Sequence, residues 1–72
     1  MPKGTQISLK AARINANMTQ AQAAQELSKY FGMPISRQRV MKYEDNPEST
    51  PIGFGRGFAT IYNLPIEAIN FS

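Results

Sequence analysis

The chain has 72 residues and a net charge of +3, and its content of 42% apolar and 18% charged residues is typical of one small globular domain. It contains neither cysteine nor histidine, which excludes disulfides, thiolate metal sites, most zinc chemistry and histidine-based acid–base catalysis. No apolar run approaches the roughly 18 residues of a membrane-spanning helix, and no signal peptide is recognisable, so we expect a cytoplasmic, non-enzymatic protein without metal, cofactor or small-molecule substrate.

The first elements of the chain are predicted to be an arm and a short helix. Residues 1–6 are expected to form a flexible N-terminal arm, ahead of a single domain that covers residues 7–71. Apolar residues then recur at helical spacing from residue 7 or 8 to about residue 16. Asn17 can adopt the left-handed conformation that ends a helix, so the first helix should stop there.

A second helix is predicted directly afterwards. Thr19 is a suitable N-cap, and Gln22, three residues later, completes a capping-box pattern. Residues 20–31 are rich in Ala and Gln, which favour helix formation. Gly32 and Pro34 should end this helix.

The third predicted helix begins after Ser36, its expected N-cap, and runs to about Glu44. Its buried side is narrow and consists of Val40 and Tyr43. The outward side is expected to present Arg37, Gln38, Met41 and Lys42. A helix with so little apolar surface and three basic residues in seven is poorly suited to a core role, which is the first indication of function.

The last third of the chain is predicted to contain two more helices. Residues 45–51 read as a loop, and residues 52–57, in which every second residue is glycine, as a weak helix start. Residues 58–62 should be helical, with Asn63 as a second left-handed end. A final short helix is expected over residues 66–71, and no strand is predicted. The expected fold is therefore all-α, with five helices.

Two helices with a tight connection, of which the second is basic and capped by serine, are typical of a helix-turn-helix. In that unit the first helix crosses the sugar-phosphate backbone and the second enters the major groove. There Arg can pair with guanine and Gln with adenine, and Arg37 and Gln38 stand at positions from which such contacts are made.

The charge distribution favours the same interpretation. Residues 1–43 hold seven basic residues and one acidic residue, a net charge of +6, whereas residues 44–72 hold one basic and four acidic residues, a net charge of −3. A basic front half suits contact with a polyanion, although an unevenly charged solvated surface is the alternative.

Several motifs occur in a familiar order: LKAAR at 9–13, NMTQ at 17–20, the small or apolar residues at 23, 24 and 27, and an ISR…YE pattern at 35–44. Together with FATIYNLPIEAI at 58–69, they resemble the Cro/repressor (XRE-type) helix-turn-helix family of phages and bacteria over residues 7–71. The resemblance implies a compact, lambda-repressor-like five-helix bundle in a bacterial host cell. It also implies a phage regulator of a lysogenic/lytic switch that binds operator DNA, as a homodimer or cooperatively, through the helix at 36–44.

Carried onto this sequence, the resemblance implies a phosphate contact from the first residue of the second helix and base or phosphate contacts from the third helix. The implied DNA-binding residues are Gln20, Ser36, Arg37, Gln38, Arg39, Lys42 and Asn46. Simple solvent exposure is the alternative for Gln20 and the arginines, and Asn46 either caps the third helix or binds phosphate. Residues 28–34 stand where the family has a single residue, which leaves the orientation of the third helix open.

The whole chain is also similar to the modulator-of-repression antirepressors of temperate phages. That similarity implies a second function, in which the chain binds the cognate phage repressor and blocks its DNA binding. Its interface would include Arg37 and four apolar residues that are otherwise expected in the core: Tyr30, Phe31, Met33 and Phe54.

Overall fold

Four α-helices and one pair of short strands make up residues 6–72, the part of the chain that the computed structural model describes. The elements in chain order are β1 (Ile7–Ser8), α1 (Leu9–Asn15), α2 (Gln20–Phe31), α3 (Arg37–Asp45), a 3₁₀ turn (Pro47–Ser49), α4 (Ile52–Ile61), a 3₁₀ turn (Ile66–Ala68) and β2 (Ile69–Asn70). Apart from Gln6, the arm predicted at 1–6 lies outside the described residues.

Side-chain caps begin three of the helices, and the caps of α2 and α3 are those that the sequence predicts. The Ser8 hydroxyl accepts a hydrogen bond from the Ala11 backbone N–H at 3.0 Å at the start of α1. Thr19 and Gln22 form the predicted capping box of α2, with donor–acceptor distances of 2.8 and 3.1 Å. Because each cap satisfies backbone donors that would otherwise lack partners, these starts are set by local sequence.

Left-handed residues follow three of the helices. Asn17 (φ 60°) follows α1, Gly32 (φ 69°) ends α2, and Asn63 (φ 58°) follows α4. All three positions are confirmed as helix ends. The predicted extent of the second helix, residues 20–31, is also confirmed, because α2 spans Gln20–Phe31.

The corner between α2 and α3 is tied together by one hydroxyl. Ser28 Oγ donates to the Ala24 carbonyl oxygen at 2.8 Å and accepts from the Ile35 backbone N–H at 2.8 Å. Ile35 itself is 8% exposed. The turn before α3 is therefore anchored to α2 through Ser28.

The prediction of five helices and no strand is wrong at the C-terminus. Residues 66–71 form one 3₁₀ turn and then β2, which pairs in parallel with β1 in the register Ile7↔Ile69 and Ser8↔Asn70. Six residues are too few to stabilise a helix by themselves, whereas β2 buries Ile69 to 2% exposure and satisfies backbone groups of β1.

The α4 helix is fully helical from Ile52, where the sequence predicts only a weak start. The reason is packing, since Gly55 and Gly57 are buried. A Cβ on Gly57 would lie 3.1 Å from Leu27 Cδ2 and 3.2 Å from Phe31 Cζ. Glycine thus permits the close approach of α4 to α2, which compensates for its low helix propensity.

The core lies between the four helices. Its largest fully buried side chains are those of Leu9, Leu27, Val40 and Phe58. Ala23 and Ala24 of α2 are also buried. Within residues 6–72, no helix is both long and apolar enough to cross a membrane.

We expect alanine substitutions at two glycines of α4 to differ in their effect on the stability of the fold. Gly53→Ala should stabilise the fold by about 0.4–1 kcal/mol, because its Cβ would meet nothing within 4 Å and alanine favours the helix. Gly57→Ala should be less stable than Gly53→Ala by about 1 kcal/mol or more, because its Cβ crowds Leu27 and Phe31. Urea denaturation of both variants gives the comparison, and equal stabilities would contradict the packing role of Gly57.

Candidate functional site

The α3 helix is fixed by its N-cap and by a narrow buried side. The Ser36 hydroxyl accepts from the Arg39 backbone N–H at 3.3 Å. Val40 is fully buried and Tyr43 is 4% exposed. Ser36, predicted as a DNA-binding residue, is exposed and acts within the chain as the helix cap.

The outward side of α3 presents Gln38, Met41 and Lys42, which share a face because they are three or four residues apart. We call these three residues the outer ridge. All are exposed, Met41 to 37%. Among residues 6–72, the Gln38 and Lys42 side chains have no hydrogen-bond or ion-pair partner. The Lys42 ammonium lies 5.9 Å from the Tyr43 ring centroid.

Arg37 and Arg39 leave α3 on opposite sides of the outer ridge, because residues two apart on a helix point in nearly opposite directions. Arg37 lines a shallow concavity at the start of α2 together with Gln20. The Arg39 guanidinium instead lies 4.9 Å from the Phe54 ring centroid, and its Nε donates to the Tyr43 hydroxyl at 3.3 Å. The two arginines therefore do not form one cluster, although the sequence suggests it.

A buried ion pair joins α1 to the last turn of α3. Arg13 Nε lies 2.6 Å from Glu44 Oε2, and the two side chains are 10% and 4% exposed. Arg13 Nη2 donates to Glu44 Oε1 at 3.3 Å, and Nη1 donates to the Met18 carbonyl oxygen at 2.9 Å. The hydrogen bond from Arg13 to Glu44 raises the pKa of the guanidinium above its ordinary value, which keeps the arginine charged.

Gln20 is attached to this pair, since its Nε2 donates to Glu44 Oε1 at 3.1 Å. One of its two amide hydrogens is therefore committed inside the protein. The sequence predicts Glu44 only as the approximate end of the third helix, and it gives Arg13 no role beyond its charge. The sequence feature that could have indicated a buried role for Arg13 is its position directly after Ala12, on the side of α1 that faces the core.

Asn46 ends α3, as one of its two predicted roles requires. Its backbone N–H donates to the Lys42 carbonyl oxygen at 3.0 Å. Its side-chain amide lies against the Glu48 carboxylate, where its nitrogen can donate at 2.9 Å.

In residues 6–72, no three acidic side chains are arranged to hold a metal ion.

Four apolar residues beside α3 form what we call the aromatic corner: Tyr30, Phe31, Met33 and Phe54. Tyr30 is 45% and Met33 56% exposed, whereas Phe31 and Phe54 are half-buried and belong to the margin of the core. The Tyr30 and Phe31 ring centroids are 4.9 Å apart, and those of Phe31 and Phe54 are 4.7 Å apart. The expected core position thus applies to Phe31 and Phe54, whereas Tyr30 and Met33 are exposed.

Tyr62 places a buried hydroxyl near the Arg13–Glu44 pair. The residue is 5% exposed, and its hydroxyl has no hydrogen-bond partner among residues 6–72. Burial raises the pKa of Tyr62 above its ordinary value of 10.0, and the Glu44 carboxylate raises it further. The phenol is therefore held in its neutral form.

No protein-family model matches this chain, and neither a curated protein nor a solved structure matches it. The chemistry of the site therefore rests on the residues described above.

We expect Tyr62→Phe to flatten the loss of stability at high pH. The pKa of Tyr62 is higher in the folded protein than in the unfolded chain, so the stability that the neutral phenol contributes is fully present below about pH 10. That stability is lost at higher pH, because the tyrosine ionises first in the unfolded chain. At pH 7 the substitution removes only an unpartnered hydroxyl, so stability should change by less than about 0.5 kcal/mol or increase.

Chemical denaturation of the wild-type protein, Tyr62→Phe and Tyr30→Phe between pH 7 and 11 measures the effect. Tyr30→Phe, at an exposed tyrosine, is the matched control and should follow the wild-type curve. An alkaline loss for Tyr62→Phe equal to that of the wild type would contradict the assignment.

Proposed function

We propose that the chain is a small DNA-binding transcriptional regulator of the phage type, working in the cytoplasm of a bacterial host. In this proposal α2, the following turn and α3 are a helix-turn-helix within a lambda-repressor-like fold. The observation that carries it is the outer ridge, an exposed helix face. Its Gln38 and Lys42 side chains have no hydrogen-bond or ion-pair partner among residues 6–72. Such a face on a firmly held helix suits the major groove.

Individual roles follow from the geometry of α3. Gln38 lies in the first turn, where a bidentate contact to adenine is made, and Lys42 lies one turn later, where it can meet a phosphate. Arg37 stands on the side of the concavity at the start of α2. There it can contact a phosphate together with the N-terminal amides of α2, or reach a guanine.

Arg39 contributes less to DNA binding in this proposal than its sequence position suggests. Its guanidinium packs on Phe54 and its Nε is bound to the Tyr43 hydroxyl. Contact with a base would require those interactions to be broken. Few side chains of α3 are therefore available to contact bases. One such helix reads too few base pairs for a specific operator, so a second copy of α3 is needed.

One part of the DNA affinity should come from electrostatic contacts with phosphates, and another part from contacts with particular bases. We expect the affinity for the intergenic DNA that flanks the gene to fall steeply with salt. Lys42→Ala should weaken binding to all sequences and lower the salt slope by about 1. Arg37→Ala and Gln38→Ala should each relax the preference at one base pair by about 1–3 kcal/mol.

Fluorescence anisotropy at several salt concentrations measures these effects, and gel shifts test the base preference. Lys29→Ala is the matched control, because Lys29 is exposed, lies on α2 and is paired with Glu26 at 3.4 Å. It should bind DNA as the wild type does. A flat salt response, or equal losses for Lys42→Ala and Lys29→Ala, would reject the proposal.

The aromatic corner supports a second candidate function, that of an antirepressor that binds the cognate phage repressor and blocks its DNA binding. Two exposed apolar side chains beside two half-buried rings are suited to a protein interface. Arg39, and not the predicted Arg37, borders this surface, because Arg37 lies on the other side of the outer ridge beside the start of α2. An acidic group on the partner would be accommodated at Arg39.

Co-purification with the repressor encoded beside this gene tests the second function. We expect Tyr30→Ala and Met33→Ser to weaken the complex about tenfold or more while leaving DNA binding unchanged. Ile14→Ser, at another residue that is 56% exposed, is the control and should have no effect. No complex at micromolar concentrations would remove this candidate.

A further inference from the structure

The proposed function leaves one residue of the outer ridge, Met41, without a role. Its side chain is 37% exposed, and it is neither buried nor one of the half-buried apolar side chains that pack against the core. The other two residues of the ridge, Gln38 and Lys42, are exposed and polar. An apolar side chain therefore lies on an otherwise polar face, and packing against the core does not account for it.

The neighbours of Met41 on α3 are the two side chains proposed to contact bases. Residues three and four apart on a helix lie side by side, so Gln38 and Arg37 both border Met41 from the preceding turn. A methionine side chain extends as far from the backbone as a glutamine side chain does. Any surface that Gln38 contacts in the major groove is therefore also within reach of Met41.

The chemistry of the groove identifies what such a side chain can contact. The exposed edges of the base pairs carry hydrogen-bond donors and acceptors, and in unmodified DNA a methyl group is present only at C5 of thymine. A methionine placed against donors and acceptors would remove their water without replacing it, which is unfavourable. Against a methyl group the same side chain takes apolar surface out of water, and its flexible thioether adapts to the shape it meets.

We propose that Met41 contacts the C5-methyl group of a thymine and thereby adds an A·T pair to the sequence that α3 recognises. This inference rests on the proposed DNA-binding function and specifies part of its substrate. Three residues of a helix advance about 4.5 Å and successive base pairs are about 3.4 Å apart, so the thymine should lie within about two base pairs of the adenine that Gln38 contacts.

Replacement of thymine by uracil tests the contact, because it removes the methyl group and leaves the hydrogen-bonding groups of the base in place. The intergenic DNA that flanks the gene is prepared with thymine or with uracil throughout, and fluorescence anisotropy measures the affinity of the full chain for each form. We expect the uracil form to bind about fourfold more weakly for each bound copy, the loss that corresponds to one methyl group. Single uracil substitutions then locate the thymine.

Three variants assign the preference to one side chain. Met41→Ala should bind the thymine and uracil forms equally, whereas Met41→Leu keeps an apolar side chain of similar size and should still prefer thymine. Ile14→Ala is the matched control, because it shortens a side chain that is 56% exposed on another helix, and it should prefer thymine as the wild type does. Met41 is itself exposed, so its variants should fold normally, which far-UV circular dichroism checks.

DNA with 5-methylcytosine in place of cytosine is a second arm of the experiment, because that base carries the same methyl group. We expect this form to bind no more tightly than unmodified DNA, since thymine supplies the methyl group that Met41 contacts. Tighter binding to the methylated form, without any preference for thymine over uracil, would assign the contact to methylated cytosine and overturn the assignment to thymine.

The outcomes separate this inference from the function on which it rests. Salt-sensitive DNA binding with equal affinity for the thymine and uracil forms would overturn the thymine contact and leave the DNA-binding function standing, whereas absence of DNA binding would reject both. A thymine preference that Met41→Ala retains would also overturn the contact, because another side chain or the shape of the DNA would then cause it. Loss of the preference in Met41→Ala, with retention in Met41→Leu and Ile14→Ala, would support it.

Discussion

The buried pair of Arg13 and Glu44 is the contact on which the orientation of α3 depends. Burying two charges is costly, and here the cost is offset because Nε, Nη1 and Nη2 of the guanidinium and both oxygens of the carboxylate have partners. The pair links three helices, since Arg13 belongs to α1, Glu44 to α3 and the attached Gln20 to α2. Loss of one member would leave the other charge buried, a change that costs about 3–5 kcal/mol in comparable sites. The outer ridge is therefore carried by a helix that cannot easily tilt.

The local features of this fold could be predicted from the sequence, because they depend on neighbouring residues. The Thr19–Gln22 capping box and the left-handed Asn17 and Asn63 are of this kind. The pairing of β1 with β2 could not be predicted, because two-residue strands leave no periodic signal and their partners are about sixty positions apart. The sequence predicts only a weak start for α4, and its full helicity from Ile52 could not be predicted. Its propensity is poor, and what stabilises it is the approach to Leu27 and Phe31 on another helix.

The candidate site shows the same division between local and non-local causes. That Ser36 begins α3 and that the outer ridge faces outward follow from the pattern of residues 36–44 alone. The separation of the two arginines does not, because it depends on an aromatic ring from α4. The Arg39 guanidinium lies 4.9 Å from the Phe54 ring centroid and its Nε donates to the Tyr43 hydroxyl, so a residue that the sequence groups with the predicted DNA-binding residues instead borders the aromatic corner. A basic cluster in a sequence is thus weaker evidence for a binding face than the number of its side chains suggests.

The position of Arg39 also relates the two proposed functions to each other. It belongs to α3, and it borders the aromatic corner, so a protein bound at Tyr30 and Met33 would lie beside the helix that would enter the groove. A major groove about 12 Å wide admits a helix but not a helix with a protein attached to its flank. Occupation of the corner would therefore compete with DNA binding by steric exclusion, without any change in the fold.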